Sequence, residues 1–74
     1  MKVQLTAVYE KAPTGYIGYV EELPGANTQG ATLEETKTNL LEAIELVLEA
    51  HKQMAEEEIL GKECIRETIG VLTA

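Results

Sequence analysis

A change of hydrophobic period at Thr32 most constrains how this chain can fold. Gly15–Glu35 reads GYIGYVEELPGANTQGATLEE. Before Thr32, apolar and polar residues alternate at two-residue steps, which is typical of β-strands. After it, apolar residues recur at three- and four-residue steps, which is typical of an amphipathic helix. The Thr32 hydroxyl can cap the helix, and Glu35 can accept a hydrogen bond from the Thr32 backbone N–H. The pattern predicts strands first and a helix from Leu33.

Three strands are predicted ahead of the helix. Lys2–Glu10 alternates as a half-buried strand, and Ala12–Gly15 has the composition of a turn. Tyr16–Glu21 resumes the alternation, so the two segments should form an antiparallel hairpin. A Leu-Pro-Gly corner follows, and Asn27–Gly30 is a short third strand that continues the meander. The residues expected on one face of the first strand are Val3, Leu5, Ala7 and Tyr9.

The helix is predicted to run from Leu33 to about Leu60, where Gly61 and Lys62 form its C-terminal stop. Such a helix would be about 40 Å long, whereas a six-residue strand spans only about 20 Å. We therefore expect the helix either to break or to extend beyond the sheet. The residues predicted to form its apolar stripe are Leu33, Leu40, Leu41, Ile44, Val47, Leu48, His51, and Met54 or Ala55.

A fourth strand is predicted over Cys64–Leu72, with Ile65, Ile69 and Val71 on one face. The expected fold class is α+β, in the order β-β-β-α-β: an antiparallel sheet with one long helix on one face. At 74 residues, the chain has room for a single domain, residues 1–74. Because its core is small and its single cysteine cannot form an intrachain disulfide, we expect a homo-oligomer, either a dimer or a tetramer.

The charge and hydropathy of the chain narrow its possible partners. Thirteen acidic and six basic residues give a net charge of −7, which argues against direct nucleic-acid binding. No segment has the length and apolar character of a membrane span, and the N-terminus lacks a signal-peptide pattern. We expect a cytoplasmic protein that binds no membrane and attracts a basic protein partner.

The sequence offers no catalytic constellation. Glu21 and Glu22 are adjacent in a predicted strand, so their side chains should point to opposite faces. His51 lies on the apolar helix stripe without a nucleophile spaced to pair with it, and is expected to be packed or hydrogen-bonded. Cys64 is expected to be a small buried hydrophobe. We therefore expect no enzyme activity, catalytic residue, cofactor, metal site or small-molecule substrate.

The motif around the corner resembles the HicB-like antitoxin family of toxin–antitoxin systems. Members of that family read roughly as aromatic-x-A-x-hydrophobic-P-[DE]-L-P-G-x-x-T-x-G-x-T-x-x-E-A. The resemblance covers about two-thirds of the chain, and two positions depart from it: Glu21 replaces a proline, and Thr36 replaces an alanine. The matching residues are Tyr19, Val20, Glu22, Leu23, Pro24, Gly25, Thr28, Gly30, Thr32 and Glu35.

The resemblance implies a reduced RNase H-like fold without catalytic carboxylates. It implies a prokaryotic antitoxin that covers the active site of a HicA-like toxin, a small basic protein that cleaves mRNA. Longer members carry a C-terminal DNA-binding domain, which we expect to be absent here because the chain ends at Ala74. The alternative is an orphan homo-oligomeric scaffold or interaction domain without a toxin partner.

Two groups of residues are candidates for partner binding. Acidic and aromatic residues near the end of the second strand form one group, and the outer side of the helix forms the other. Motif residues that support the fold are expected to be Pro24, Gly25, Gly30, Thr32 and Glu35. The partner-binding candidates are Tyr19, Glu21, Glu22, Glu42, Glu45, Leu46 and Glu49.

Overall fold

The computed structural model describes residues 4–70, in which a three-stranded antiparallel sheet is followed by one long helix. The strands lie side by side in sequence order, and the helix covers one face of the sheet. The predicted α+β class, with its antiparallel sheet and single helix, is confirmed. The elements are β1 (Ala7–Ala12), β2 (Gly15–Val20), β3 (Asn27–Gly30) and α1 (Leu33–Glu58).

The first strand begins later than its alternation predicts. Its ladder with β2 starts at the Ala7–Val20 pair and ends at the Ala12–Gly15 pair. The Thr6 carbonyl still accepts from the Glu21 N–H at 3.0 Å, but the Thr6 N–H donates to the Glu22 carboxylate instead of to a strand. This diversion interrupts the ladder at Thr6. Residues 2 and 3 of the predicted strand lie outside the described residues.

The Leu-Pro-Gly corner is closed by backbone hydrogen bonds. The Val20 N–H donates to the Ala26 carbonyl at 3.1 Å, and the Ala26 N–H donates to the Leu23 carbonyl at 3.1 Å. Gly25 has φ +94°, a value that residues with a Cβ rarely adopt, so glycine is required there. The corner turns the chain from β2 into β3 and directs Leu23 towards the core.

The core lies between the sheet and the first half of α1. Val20, Ala26 and Leu40 are buried, and Tyr9 from β1 packs against them. Burying a leucine of this kind stabilises a fold by about 1.5–3 kcal/mol relative to leaving it exposed. Three further residues pack around this centre, namely Leu23, Ile44 and Val47.

The helix start follows the predicted cap, with one difference. The Glu35 N–H donates to the Thr32 hydroxyl oxygen at 3.1 Å, whereas the Glu35 carboxylate accepts from the Ala31 N–H at 3.3 Å instead of from Thr32. The Ala31 N–H is a free donor because β3 ends at Gly30. The capping pair therefore connects the strand end to the helix.

Gly30 is required for close packing rather than for an unusual backbone angle. A Cβ at this position would lie 2.6 Å from the Thr36 hydroxyl oxygen and 2.9 Å from the Thr36 nitrogen. Thr36 is fully buried, and its hydroxyl donates to the Thr32 carbonyl at 2.8 Å. The helix therefore approaches β3 closely at its first turn.

The apolar stripe predicted along the whole helix is wrong for its second half. Leu40, Ile44 and Val47 contact the core, but Leu48 is 50% exposed and His51 is exposed. Leu48 lies about 100° around the helix from Val47, on the side that also carries the exposed Leu41. From His51 onwards the sheet is too short to lie beneath the helix, since a 26-residue helix is about 39 Å long. The Cα radius of gyration is 15.8 Å, against about 11 Å for a compact domain of this length. The other exposed members of the predicted stripe are Leu41, Met54 and Ala55.

The chain leaves the helix as predicted but forms no fourth strand within the described residues. Gly61 has φ +77°, and the Lys62 N–H donates to the Ile59 carbonyl at 3.1 Å. Residues 63–70 are exposed and belong to no strand, so the prediction of a strand there is wrong for this part of the chain. The segment begins where α1 extends beyond the sheet and meets no strand to pair with. Cys64, predicted to be buried, is exposed for the same reason; residues 71 and 72 lie outside the described residues.

Candidate protein-binding surfaces

The face of the sheet opposite α1 carries apolar side chains that no described element covers. Tyr9 and Val20 point towards the helix, so the alternating positions of β1 and β2 point away from it. Val8 and Tyr19 are cross-strand partners there, and Ile17, two residues before Tyr19, is 42% exposed. We call this surface the open sheet face and define it by Val8, Glu10, Ile17, Tyr19, Glu21 and Gln29.

Carboxylates frame the apolar centre of the open sheet face. Glu10 is the cross-strand partner of Ile17. Glu21 follows Tyr19 by two residues, and its N–H continues the ladder to Thr6. Both acidic side chains are therefore placed beside the apolar group. An aromatic and aliphatic centre with a charged rim is the usual arrangement of a protein-binding surface.

Glu22 has a different role from Glu21, although both are exposed. One Glu22 carboxylate oxygen accepts from the Thr6 hydroxyl at 2.7 Å, and the other accepts from the Thr6 N–H at 2.6 Å. Both hydrogen bonds lower the pKa of Glu22, and the one from the Thr6 hydroxyl has the larger effect. The side chain therefore connects the segment before β1 to the corner after β2. Among the predicted partner-binding residues, Glu22 is primarily a structural contact.

The helix candidates lie on the other side of the molecule. Glu42, Glu45 and Glu49 are exposed, and Leu46 is 72% exposed. Their side of α1 faces away from the sheet, while Tyr19 points away from the helix. The sheet and the helix separate the two groups, so one compact partner cannot contact both groups on a single flat surface. The structure brings Tyr19 and Glu21 together and does not bring either of them near the outer helix.

Two features of the structure have no signal in the sequence. Thr6 belongs to no motif, yet its N–H and hydroxyl donate hydrogen bonds to the two carboxylate oxygens of Glu22. A cleft between β1 and α1 includes Leu41, a member of the predicted apolar stripe that is 66% exposed. No local pattern identifies either feature, because both depend on residues that are distant in the chain.

Within residues 4–70, no three acidic, histidine or cysteine side chains come together in a way that could hold a metal ion. None of the helical sequence described is apolar over a long enough stretch to cross a bilayer.

Comparison with curated proteins identifies the family. A UPF0150 protein of Synechocystis sp. is 43% identical to this chain over 70 residues, which cover 93% of this chain and 96% of the relative. The chain belongs to the UPF0150 family. A UPF0150 protein of Archaeoglobus fulgidus is 35% identical over 69 residues, or 92% of this chain and all of the relative.

A third UPF0150 protein, from Thermotoga maritima, is 48% identical over 46 residues, which cover 60% of this chain and 61% of the relative. The similarity to the first two UPF0150 relatives spans the strands, the corner and the helix together, because each covers more than nine-tenths of the chain. No family model matches the chain, and no solved structure matches it.

Proposed function

We propose that this UPF0150 protein is a HicB-like antitoxin that binds and blocks a small, basic HicA-like toxin that cleaves mRNA. The observation that supports the proposal most directly is the open sheet face, with its apolar centre and acidic rim. The resemblance around Leu23, Pro24 and Gly25 supplies the class of partner. The protein acts by covering the toxin and performs no chemistry of its own.

The open sheet face provides both parts of such an interaction. The apolar centre consists of Val8, Ile17 and Tyr19, whose surface would be buried from water when a partner docks. Tyrosine is enriched among the residues that contribute most to binding energy. Glu10 and Glu21 can pair with lysine or arginine side chains at the rim. The remaining surplus of negative charge attracts a basic partner over distance and raises the association rate.

Co-expression with a HicA-like toxin from the same host tests the proposal. The native chain should restore growth. Tyr19→Ala should reduce rescue most because it removes the centre of the apolar group, and a loss of affinity of about ten-fold or more is expected from truncating such a residue. Glu21→Lys should slow association, and the effect should shrink as salt is added.

The matched control is Glu42→Lys, the same charge reversal on the outer side of α1. It should leave rescue and affinity close to native, provided that helix content by circular dichroism is unchanged for all variants. If Glu42→Lys abolishes rescue while Glu21→Lys and Tyr19→Ala do not, the partner binds the helix rather than the open sheet face. If the native chain neither binds the toxin nor restores growth, the antitoxin proposal is wrong.

The second candidate is an orphan homo-oligomeric scaffold without a toxin partner. The observation that favours it is the exposure of Ile65 and Ile69, each 95% accessible, in the segment after the helix. Apolar side chains this accessible are suited to contact with another chain. Finding self-association without toxin binding would support this candidate.

A further inference from the structure

The two edges of the sheet differ in how they are covered. At the β3 edge, the Asn39 side-chain amide donates to the Gln29 carbonyl at 3.0 Å, so α1 partly covers that edge. At the β1 edge, none of the described side chains hydrogen-bonds to the backbone of Ala7–Ala12. The Thr6 carbonyl points towards β2, where it accepts from the Glu21 N–H. Because the backbone groups of successive strand residues point alternately towards and away from the partner strand, the N–H and C=O groups of Ala7, Tyr9 and Lys11 point away from β2.

An apolar cleft runs beside this free edge, between β1 and α1. Its volume is about 340 Å³. Its single charged residue is Lys37, whose ammonium group lies 3.8 Å from the exposed Glu34 carboxylate. The cleft residues are Leu5, Ala7, Tyr9, Val20, Lys37, Leu40, Leu41 and Ile44. We call this surface the edge cleft.

The segment of residues 63–70, which we call the tail, has a side-chain pattern that matches the edge cleft. Every second position carries Ile65, Glu67 and Ile69, and both isoleucines are 95% exposed. The Arg66 guanidinium lies 3.3 Å from the Glu56 carboxylate, so the tail begins beside the last turns of α1. Every residue of the tail is exposed, so it does not fill the edge cleft of its own chain.

We propose that the tail of a second copy of this chain pairs with the free edge of β1 and fills the edge cleft. The exchange is reciprocal, so that two chains related by a two-fold axis each complete the other's sheet. Backbone hydrogen bonds to Ala7, Tyr9 and Lys11 supply the pairing, as in other cases of strand addition. The inference does not depend on the toxin partner proposed above.

The side chains of the tail match the cleft in polarity and order. Ile65 and Ile69 would enter the apolar parts of the cleft, because side chains two residues apart in a strand share a face. Glu67, between them, would meet Lys37, the charged residue of the cleft. The pairing would remove two fully exposed isoleucines from water and satisfy the unpaired strand edge.

The first test is the solution mass of the full chain, measured by light scattering at micromolar concentration, and the native chain should be a dimer. Replacing both isoleucines, Ile65→Gln with Ile69→Gln, should weaken the dimer by about ten-fold or more, since two buried aliphatic side chains are lost. The matched control is Leu46→Gln, which alters an exposed leucine on the outer helix and should leave the mass unchanged.

A charge exchange separates pairing between copies from folding back within one chain. Glu67→Lys and Lys37→Glu should each weaken the dimer, because each places like charges together at both sites. When the two variants are mixed, every tail–cleft contact in the mixed dimer again joins opposite charges. Native mass spectrometry should then show the mixed dimer in excess over either variant's own dimer.

Three results would overturn the inference. The first is a monomeric native chain at micromolar concentration. The second is a dimer that survives the double isoleucine replacement, which would place the interface elsewhere. The third is a mixture of Glu67→Lys and Lys37→Glu in which the mixed dimer is not in excess, which would mean that the tail contacts the cleft of its own chain. Circular dichroism of each variant checks that helix content is retained.

Discussion

At the scale of single residues, two adjacent glutamates have different surroundings and different roles. Glu21 lies on the open sheet face, whereas both carboxylate oxygens of Glu22 accept hydrogen bonds from Thr6. Adjacent positions in a strand predict opposite directions for the two side chains, but they do not predict the partner of either. A variant that changes both residues at once would therefore combine a surface effect with a structural one.

The lowered pKa of Glu22 predicts a specific dependence of stability on pH. A carboxyl group whose pKa is lower in the folded state stabilises the fold above its unfolded pKa, and this contribution is lost as pH falls through the folded pKa. Glu22→Gln should therefore be less stable than the native chain at neutral pH, and the difference should diminish as the pH falls below the ordinary pKa of a glutamate.

Urea unfolding followed by circular dichroism at several pH values measures this difference. Glu42→Gln serves as the control, since it neutralises an exposed glutamate on the helix whose carboxylate accepts no hydrogen bond within residues 4–70. A Glu22→Gln deficit that stays constant from neutral to acidic pH would contradict the role assigned to the Thr6 hydrogen bonds.

At the scale of the elements, α1 consists of two parts with different surroundings. The first part packs one side, which carries Leu40, Ile44 and Val47, against the sheet, while the part from His51 to Glu58 extends beyond it. Both parts have the same helical spacing of apolar residues, so the periodicity predicted the helix correctly and overestimated how much of it is buried.

Two leucines on different sides of α1 provide a matched test of which side is buried. Leu40 is 2% exposed and Leu48 is 50% exposed. Leu40→Ala should lower the free energy of unfolding by about 2–5 kcal/mol, as for other buried leucines. Leu48→Ala should cost less than about 1 kcal/mol, because half of its side chain remains in water.

Chemical unfolding of the two variants under identical conditions measures both values. A loss at Leu48 as large as that at Leu40 would show that another surface covers the side of the helix that carries Leu48. That outcome would require a contact beyond those of the single chain.

At the scale of the whole molecule, charge and shape determine which partners are suitable. The net charge of −7 applies to the full chain, and the helix and sheet place its acidic side chains on opposite sides. This surplus of negative charge leads us to expect a basic protein rather than nucleic acid as the partner on either side.

The charge predicts that the chain alone does not bind duplex DNA at physiological salt. Fluorescence anisotropy with labelled duplexes, including the promoter of its own gene, should show no saturable change. With six basic and thirteen acidic residues, the chain has a surplus of negative charge that opposes the approach of phosphates. Saturable binding whose affinity falls steeply with added salt would contradict this prediction.

Features that depend on neighbouring residues could be predicted from the sequence alone. The start of α1 at Leu33, its cap at Thr32 and the third strand at Asn27–Gly30 all agree with the structure. Each rests on side-chain alternation, on a hydrogen bond across three residues or on a glycine turn, and all of these are set within a few positions of the chain. The antiparallel hairpin follows from the same local signals.

Only the tertiary structure decided which parts of these elements have something packed against them. Leu48 is exposed despite its place in the apolar stripe, because it lies on the same side of α1 as the exposed Leu41 and away from the side that carries Leu40 and Val47. The tail has the side-chain alternation of a strand, yet residues 63–70 form none, because a strand also needs backbone partners and these residues pair with no strand of the sheet. Tyr19 and Glu42 lie on opposite sides because the helix and the open sheet face are separated by the sheet. Burial and pairing depend on residues far apart in the sequence, and local patterns do not encode those distances.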